Sequence, residues 1–224
     1  MKNYLSEAVG TFIFIFLTVG IDVIAPKGAG LLGIGASFGI AYAALYYSVS
    51  HISGCHLNPV ISIGALIKKE YSKKNALCYM LSQLAGGFIA VNAIFLIIQG
   101  LPKPYDLAYY GFGHNGWGTG YVYEYNSISA LLTEMIGSTI LGLVYFTSKR
   151  QYRGATVGFA LILLHWFGLY VTGASYNPVY SFSTAFIVGD YSQLWLFIAV
   201  PLIGGLLGAT ISNCFDSNSN GKIL

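Results

Sequence analysis

The tripeptide Asn-Pro-Val occurs twice in this 224-residue chain, as Asn58-Pro59-Val60 and as Asn177-Pro178-Val179. Proline suits the first position of a helix because its missing N–H is not needed there, and asparagine just before it is a good N-cap. The two tripeptides therefore predict short helices over residues 59–68 and 178–188. A helix N-terminus carries a partial positive charge, and each Asn amide can donate a hydrogen bond. This chemistry suits the passage of a neutral, hydrogen-bonding solute and opposes the passage of a cation.

The composition places these tripeptides in a membrane protein. The chain is 55% hydrophobic and only 8% charged, with a mean hydropathy of +0.65, whereas a soluble domain is about 25% charged. The same figures exclude a disordered chain, and a net charge of +3 without a basic stripe argues against nucleic-acid binding. Six stretches are long and apolar enough to span a bilayer. They cover residues 5–25, 32–50, 76–99, 128–148, 155–171 and 194–211.

The backbone just before each tripeptide cannot be helical, because each short helix begins only at its proline. Irregular backbone at membrane depth is tolerated where it lines a water-filled path. We therefore predict that carbonyl groups of these two segments line a pore. They belong to Gly54, Cys55, His56, Gly173 and Ser175. Ordinary re-entrant turns are the alternative, and the presence of two copies in register argues against them.

The basic residues predict the orientation of the spans, because cytoplasmic connections are enriched in Lys and Arg. Nine of the eleven lie in one set of connections or at the termini, which predicts six spans with both termini in the cytoplasm. The larger set is Lys2, Lys68, Lys69, Lys73, Lys74, Lys149, Arg150, Arg153 and Lys222, and the smaller is Lys27 and Lys103. A cleaved signal peptide is the alternative for the first stretch, but no small-residue cleavage site ends it.

The two halves of the chain are copies of one unit. Residues 35–60 align with residues 154–179 at a constant offset, with about a third of the positions identical and the two tripeptides superimposed. The first and fourth spans share a second pattern, in which Glu7 and Glu134 stand three residues before Gly10 and Gly137. Each copy holds three spans, so the second is inverted relative to the first. In such proteins, interrupted segments at matching positions indicate the pore or binding site.

These motifs resemble those of the aquaporins, the major intrinsic protein family. The segment from His51 to Val60 is similar to the loop before the family's first Asn-Pro-Ala box, although both boxes here end in valine. The resemblance covers the whole chain. It implies an all-α membrane protein with six transmembrane helices and two re-entrant half-helices in an inverted repeat. It also implies one channel domain over residues 1–224, with repeats at about 1–100 and 127–216 and a connecting external loop at about 100–127. A homotetramer in a bacterial inner membrane is expected.

The resemblance further implies a narrow external filter of four residues. Its positions fall on Phe38, His165, Ala174 and Tyr180. The pair Phe38 and His165 is typical of water-selective members. Tyr180 departs from the family, which has arginine there, and the only two arginines are predicted on the cytoplasmic side. The sequence allows two orientations of Tyr180: turned aside, it admits ammonia or glycerol; turned inward, it leaves a narrow or nearly closed pore.

Competing classes of function follow from other residues. By resemblance, Glu7 and Glu134 brace the half-helix loops, whereas a proton relay through them would make the protein an ion-coupled secondary transporter. An enzyme is not expected, because no cluster of nucleophile, metal ligand or acid and base has suitable spacing. The three cysteines form neither a disulfide framework nor a metal pattern, so neither a metal nor a cofactor is expected. The predicted partners are water or another small neutral solute and the lipid bilayer, with no nucleic acid.

Overall fold

The structure, a computed structural model, describes residues 1–217, except for the side chains of residues 26, 27, 216 and 217. Lys222, one of the nine basic residues predicted on the cytoplasmic side, lies outside the described residues. Nine helices form within the described part of the chain, and six of them are long and apolar enough to span a membrane. The helices are α1 (Lys2–Ile24), α2 (Pro26–Ser53), α3 (Pro59–Ile67), α4 (Lys73–Ile98), α5 (Leu107–Tyr110), α6 (Ser127–Thr147), α7 (Arg153–Thr172), α8 (Pro178–Val188) and α9 (Leu194–Ser217).

The six spans and two half-helices confirm the predicted fold class, with adjusted bounds. Helix α2 begins six residues earlier than predicted because Pro26 occupies its first turn, and the helix is interrupted at Gly30, where φ is 58° and ψ is −175°. The prediction missed α5, a single turn in the connecting segment between α4 and α6. Asp106 caps α5 by accepting hydrogen bonds from the backbone N–H groups of Ala108 and Tyr109 at 3.0 and 3.1 Å.

Packing between helices repeats in the two halves of the chain. Helix α1 packs on α2 and α4, and α6 packs in the same way on α7 and α9. Each half-helix also contacts the other half of the chain: α3 lies against α9, and α8 lies against α4. Helices α2 and α7 pack directly on each other and join the two repeats. This arrangement brings the N-termini of α3 and α8 together at the centre of the molecule.

The α2–α7 crossing depends on glycine. A Cβ atom at Gly39 would overlap the carbonyl oxygen of Gly158, and one at Gly158 would lie 2.7 Å from the carbonyl oxygen of Gly39. The two backbones are therefore in direct contact. Small residues serve this purpose in membranes because helix association there depends on close packing rather than on the hydrophobic effect.

Candidate functional site

The two half-helices begin at their prolines and are capped alike. The Asn58 side-chain oxygen accepts a hydrogen bond from the Val60 N–H at 2.9 Å, and the Asn177 oxygen accepts one from the Val179 N–H at 3.0 Å. Helix α8 has the predicted bounds, and α3 is one residue shorter than predicted, with Lys68 as its C-cap. The N-cap and N1 preferences of Asn and Pro thus explain where both half-helices start.

Each asparagine amide reaches across to the opposite repeat. The Asn58 Nδ2 donates to the carbonyl oxygen of Tyr176 at 2.8 Å, and the Asn177 Nδ2 donates to the carbonyl oxygen of Leu57 at 3.3 Å. A side-chain amide nitrogen carries two hydrogens. After its cross-repeat bond, each amide therefore keeps one N–H for a molecule between the two helix ends.

The segments before the half-helices have matching and unusual backbone conformations. We call residues 54–57 the first loop and residues 173–176 the second loop. Each starts with a glycine at positive φ, and each then places two non-glycine residues in the left-handed region. These are Cys55 and Leu57 in the first loop (φ of 56° and 52°) and Ala174 and Tyr176 in the second (52° and 48°). Such conformations persist only where the surroundings hold them in place.

Two buried glutamates hold these loops in place. Glu7 accepts hydrogen bonds from the backbone N–H groups of His56 and Leu57 at 2.9 and 2.8 Å. It also accepts from the Ser53 hydroxyl and the Gln83 amide, both at 2.7 Å. All four partners are donors, so the carboxylate is held as an acceptor within the fold.

Glu134 does the same for the second loop. It accepts from the N–H groups of Ser175 and Tyr176 at 3.1 and 2.9 Å and from the Thr172 hydroxyl at 2.8 Å. The carboxylates of both Glu7 and Glu134 are fully buried, and all of their hydrogen bonds go to the loops and neighbouring helices. This geometry matches the bracing role.

The valine that ends each Asn-Pro-Val tripeptide packs against a glycine. A Cβ atom at Gly87 would lie 2.5 Å from the Val179 Cγ1, and one at Gly205 would lie 2.5 Å from the Val60 carbonyl oxygen and 2.7 Å from its Cγ1. Gly87 belongs to α4 and Gly205 to α9, at matching places in the two repeats. Each valine side chain therefore fits because the residue that faces it, Gly87 or Gly205, has no side chain.

A small cavity lies between the two half-helix ends. Its volume is about 20 Å³, and its lining includes Asn58, Asn177 and the rings of Phe38, His165 and Tyr180. A water molecule needs about 10–15 Å³, so the cavity has room for one. No Asp, Glu, Lys or Arg side chain lines it. Charged species thus meet no counter-charge at this point.

Three aromatic rings of the cavity lining lie close together. The rings of Phe38 and His165 are stacked, with centroids 3.6 Å apart, and the Tyr180 ring lies 5.6 Å from that of Phe38 at a tilt of 51°. The Tyr180 side chain is buried and lines the cavity, so it turns inward rather than aside. Ala174 is also fully buried here. Of the four residues predicted for the filter, Phe38, His165 and Tyr180 line this cavity, and Ala174 is not part of its lining.

His165 has one ring nitrogen available to a solute. Its Nδ1 lies 2.7 Å from the carbonyl oxygen of Leu161, one turn earlier in α7, which makes Nδ1 the donor. The buried Nε2 has no hydrogen-bond partner among the described residues. Since His165 lines the cavity, Nε2 is placed to accept a hydrogen bond from water.

Tyrosine hydroxyl groups donate hydrogen bonds to carbonyl oxygens of the first loop and of the residue before it. The sequence analysis did not predict these contacts. Tyr145 donates to the Gly54 carbonyl at 3.0 Å, and Tyr42 donates to the Cys55 carbonyl at 3.1 Å. Tyr71 and Tyr79 both donate to the Ser53 carbonyl. Two of the carbonyls predicted to line the pore therefore already accept one hydrogen bond. The signal in the sequence is the total of 18 tyrosines, which does not by itself indicate which of them contact the loop.

The His56 and Ser175 side chains occupy equivalent places beside the two half-helices. The His56 Nδ1 lies 3.1 Å from the Ser62 hydroxyl, and the Ser175 hydroxyl is hydrogen-bonded to the Ser181 hydroxyl. Ser181 also donates to the Asn115 side chain at 2.8 Å, which links the connecting loop to α8. Gly173, at the start of the second loop, has φ of 81° and lies beside the side chains of Tyr121 and Asn115. The connecting loop thus packs directly on this side of the site.

Six spans, two half-helices that meet end to end and a small neutral cavity between them define a membrane channel with an inverted repeat. A model of the family described as "Major intrinsic protein" matches residues 1–212. The chain belongs to this family, whose members are passive channels and not enzymes.

Individual relatives agree with this assignment. The chain is 33% identical to an Aquaporin Z of Bradyrhizobium diazoefficiens, over 100% of this chain and 97% of the relative. It is also 33% identical to an Aquaporin Z of Rhodopseudomonas palustris, over 99% of this chain and 96% of the relative. Its fold resembles the X-ray structure of the aquaglyceroporin from Plasmodium falciparum, with a TM-score of 0.77 and 18% identity over 98% of this chain and 96% of that one.

Proposed function

We propose that the protein conducts water passively through a pore that runs between the two half-helix ends and narrows at Phe38, His165, Ala174 and Tyr180. The observation that carries this proposal is the neutral cavity, which has the volume of one water molecule and is lined by both asparagines. Water can accept a hydrogen bond from the free N–H of Asn58 or Asn177 and can donate one to the Nε2 of His165. The relatives named Aquaporin Z support the same substrate.

Cation exclusion in this proposal belongs to the centre of the pore. The N-termini of α3 and α8 both point their partial positive charges at the cavity, which has no carboxylate in its lining. The constriction at Tyr180 adds no positive charge. The proposed pore therefore has one electrostatic barrier, at its centre. Family members with arginine at the filter have a second barrier there.

A swelling assay with a panel of solutes tests this function. Vesicles that contain the purified protein are mixed with an osmotic excess of an impermeant sugar, of glycerol or of an ammonium salt, and volume is followed by light scattering. We expect faster water flow than in empty vesicles and no entry of glycerol. Entry of glycerol or ammonia at the expense of water would assign the channel to another neutral solute. Uptake against a gradient that depends on an ion would make it a secondary transporter.

Replacing Tyr180 with arginine is expected to reduce proton leak while water flow continues. Arginine supplies a fixed positive charge that a tyrosine hydroxyl does not, and such a charge raises the barrier to protons and cations. The measurement is the decay of a pH gradient across vesicles, made beside osmotic water flow on the same preparation. Tyr109→Arg is the matched control, because Tyr109 is exposed on α5. Equal proton leak in the parent and the Tyr180→Arg variant would contradict the proposal.

We further propose that the chain forms a homotetramer in a bacterial inner membrane, with both termini in the cytoplasm. Tetramers are typical of the family, and the distribution of basic residues supports the orientation. In this orientation, the connecting loop and the ring constriction face the outside. Residues 1–100 and 127–216 are proposed as the two repeats of the single channel domain. Cysteine labelling from each side of sealed vesicles tests the orientation, and chemical cross-linking in membranes tests the tetramer.

A further inference from the structure

Arg153, the first residue of α7, lies beside the cytoplasmic half of the proposed pore. Its guanidinium carbon is 4.5 Å from the centroid of the Tyr145 ring, and its Nη2 donates to the carbonyl oxygen of Ser148 at 3.2 Å. The ring and the carbonyl are both neutral, so these contacts hold the guanidinium in place without cancelling its charge. The Arg153 side chain is only partly exposed.

Tyr145 connects this charge to the first loop. Its hydroxyl donates to the Gly54 carbonyl at 3.0 Å, and its ring centroid lies 5.7 Å from that of His56. His56 in turn lines the central cavity. One tyrosine ring therefore separates the Arg153 guanidinium from backbone that we propose as pore wall. Salt screens exposed charges over roughly 8–10 Å at physiological ionic strength, and it screens partly buried charges less.

The stability of α7 does not explain an arginine at this position. The N-terminus of a helix carries a partial positive charge, so a basic residue in the first turn is unfavourable there. Tyr152, the N-cap of α7, forms no side-chain hydrogen bond to the helix. The helix end and the Arg153 guanidinium therefore reinforce each other, and both place positive charge on this side of the pore.

We propose that Arg153 is a specificity-determining residue, whose charge extends the central barrier against cations into the cytoplasmic half of the pore. The inference rests on the proposed function, because it concerns the species that the same path excludes. Tyr180 adds no positive charge at the ring constriction, whereas Arg153 supplies one towards the opposite end. In the proposed orientation, a proton or cation from the cytoplasm meets this charge before it reaches the N-termini of α3 and α8. Water is neutral and is not repelled.

Packing is the alternative role for Arg153. In that role, the guanidinium only joins the connection between α6 and α7 to the Tyr145 ring. The two roles differ in the effect of a substitution. Arg153→Gln removes both the charge and the planar guanidinium, whereas Arg153→Lys keeps the charge and removes the planar group that lies over Tyr145. A charge role therefore separates the two variants, and a packing role does not.

The test measures the decay of a pH gradient and osmotic water flow on the same vesicles. We expect Arg153→Gln to raise proton leak several-fold while water flow continues, and Arg153→Lys to keep the leak of the parent. Arg150→Gln is the matched control and should also keep it, because Arg150 is exposed in the same connection. Adding Tyr180→Arg to Arg153→Gln should lower the leak again, since it restores a fixed positive charge elsewhere on the path.

The outcomes separate this inference from the proposed function. Water flow of the parent at the level of empty vesicles would refute the water channel, and the leak comparison still decides the role of Arg153. Equal leak in the parent and Arg153→Gln overturns the inference, and so does a leak raised equally by Arg153→Lys or by Arg150→Gln. If Arg153→Gln unfolds at a lower temperature than the parent, the double variant with Tyr180→Arg decides, because a second charge restores exclusion without restoring the packing. A leak that Tyr180→Arg fails to lower there overturns the inference.

Discussion

Replacing Tyr180 with alanine is expected to raise osmotic water permeability several-fold and to admit glycerol. The stacked rings of Phe38 and His165 leave no passage between them, so a solute must pass on the side of Tyr180. That side chain is buried and lines the central cavity. Alanine removes the whole ring and so widens the cavity on this side. The measurement is light scattering of protein-containing vesicles after osmotic shock, first with a sugar and then with glycerol.

A matched control distinguishes the loss of the Tyr180 ring from the loss of a tyrosine ring elsewhere. Tyr109→Ala removes an exposed tyrosine of α5 and should leave both permeabilities at the parent value. Tyr180→Phe keeps the ring and removes only the hydroxyl, so it should stay close to the parent for glycerol. If Tyr180→Ala conducts water no faster than the parent and still excludes glycerol, the constriction lies elsewhere.

Replacing either bracing glutamate with glutamine is expected to destabilise the fold and slow water flow. Each carboxylate oxygen accepts from the backbone, so the amide nitrogen of glutamine would face at least one buried N–H group. A buried donor left without an acceptor costs about 1–3 kcal/mol. The affected N–H groups belong to residues 56–57 or 175–176, and Leu57 and Tyr176 among them have left-handed backbone conformations. Loss of the bond therefore releases the backbone that positions Asn58 or Asn177.

Thermal unfolding in detergent, followed by water permeability in vesicles, measures this effect for Glu7→Gln and Glu134→Gln. Glu70→Gln is the control, because Glu70 is an exposed residue between α3 and α4 and its side chain makes no hydrogen bond within the described residues. It should unfold at the parent temperature. Unfolding of Glu7→Gln and Glu134→Gln at that same temperature would refute the bracing role. Loss of proton-coupled uptake with unchanged stability would instead favour a relay.

Local chemistry explains why the helices and half-helices could be predicted. Apolar stretches of span length and the N-cap preference of asparagine before proline act within a few residues, so they are visible in the sequence. The inverted repeat was visible because Glu7 and Glu134 and the two tripeptides recur in the same order. The start of α2 was placed too late because the kink at Gly30 interrupts the helical pattern after Pro26.

Contacts between residues distant in sequence could not be predicted in this way. The hydrogen bond from Tyr145 to the first-loop carbonyl of Gly54 joins residues 91 positions apart, and no local pattern indicates it. The stacking of Phe38 on His165 and the approach of Asp22 to Gly113 depend equally on how helices and loops pack. The absence of arginine beside the second tripeptide was visible from the sequence, whereas the inward orientation of Tyr180 required the structure.

The temperature dependence of osmotic water flow distinguishes passive conduction through the pore from diffusion of water through lipid. Vesicles with increasing amounts of the unmodified chain are shrunk osmotically at several temperatures and compared with empty vesicles. We expect water permeability to rise in proportion to the protein and its activation energy to fall below that of the lipid bilayer, because water then crosses through a pore. Permeability and activation energy that stay at the values of empty vesicles, with the protein shown to be folded, would contradict passive conduction through the pore.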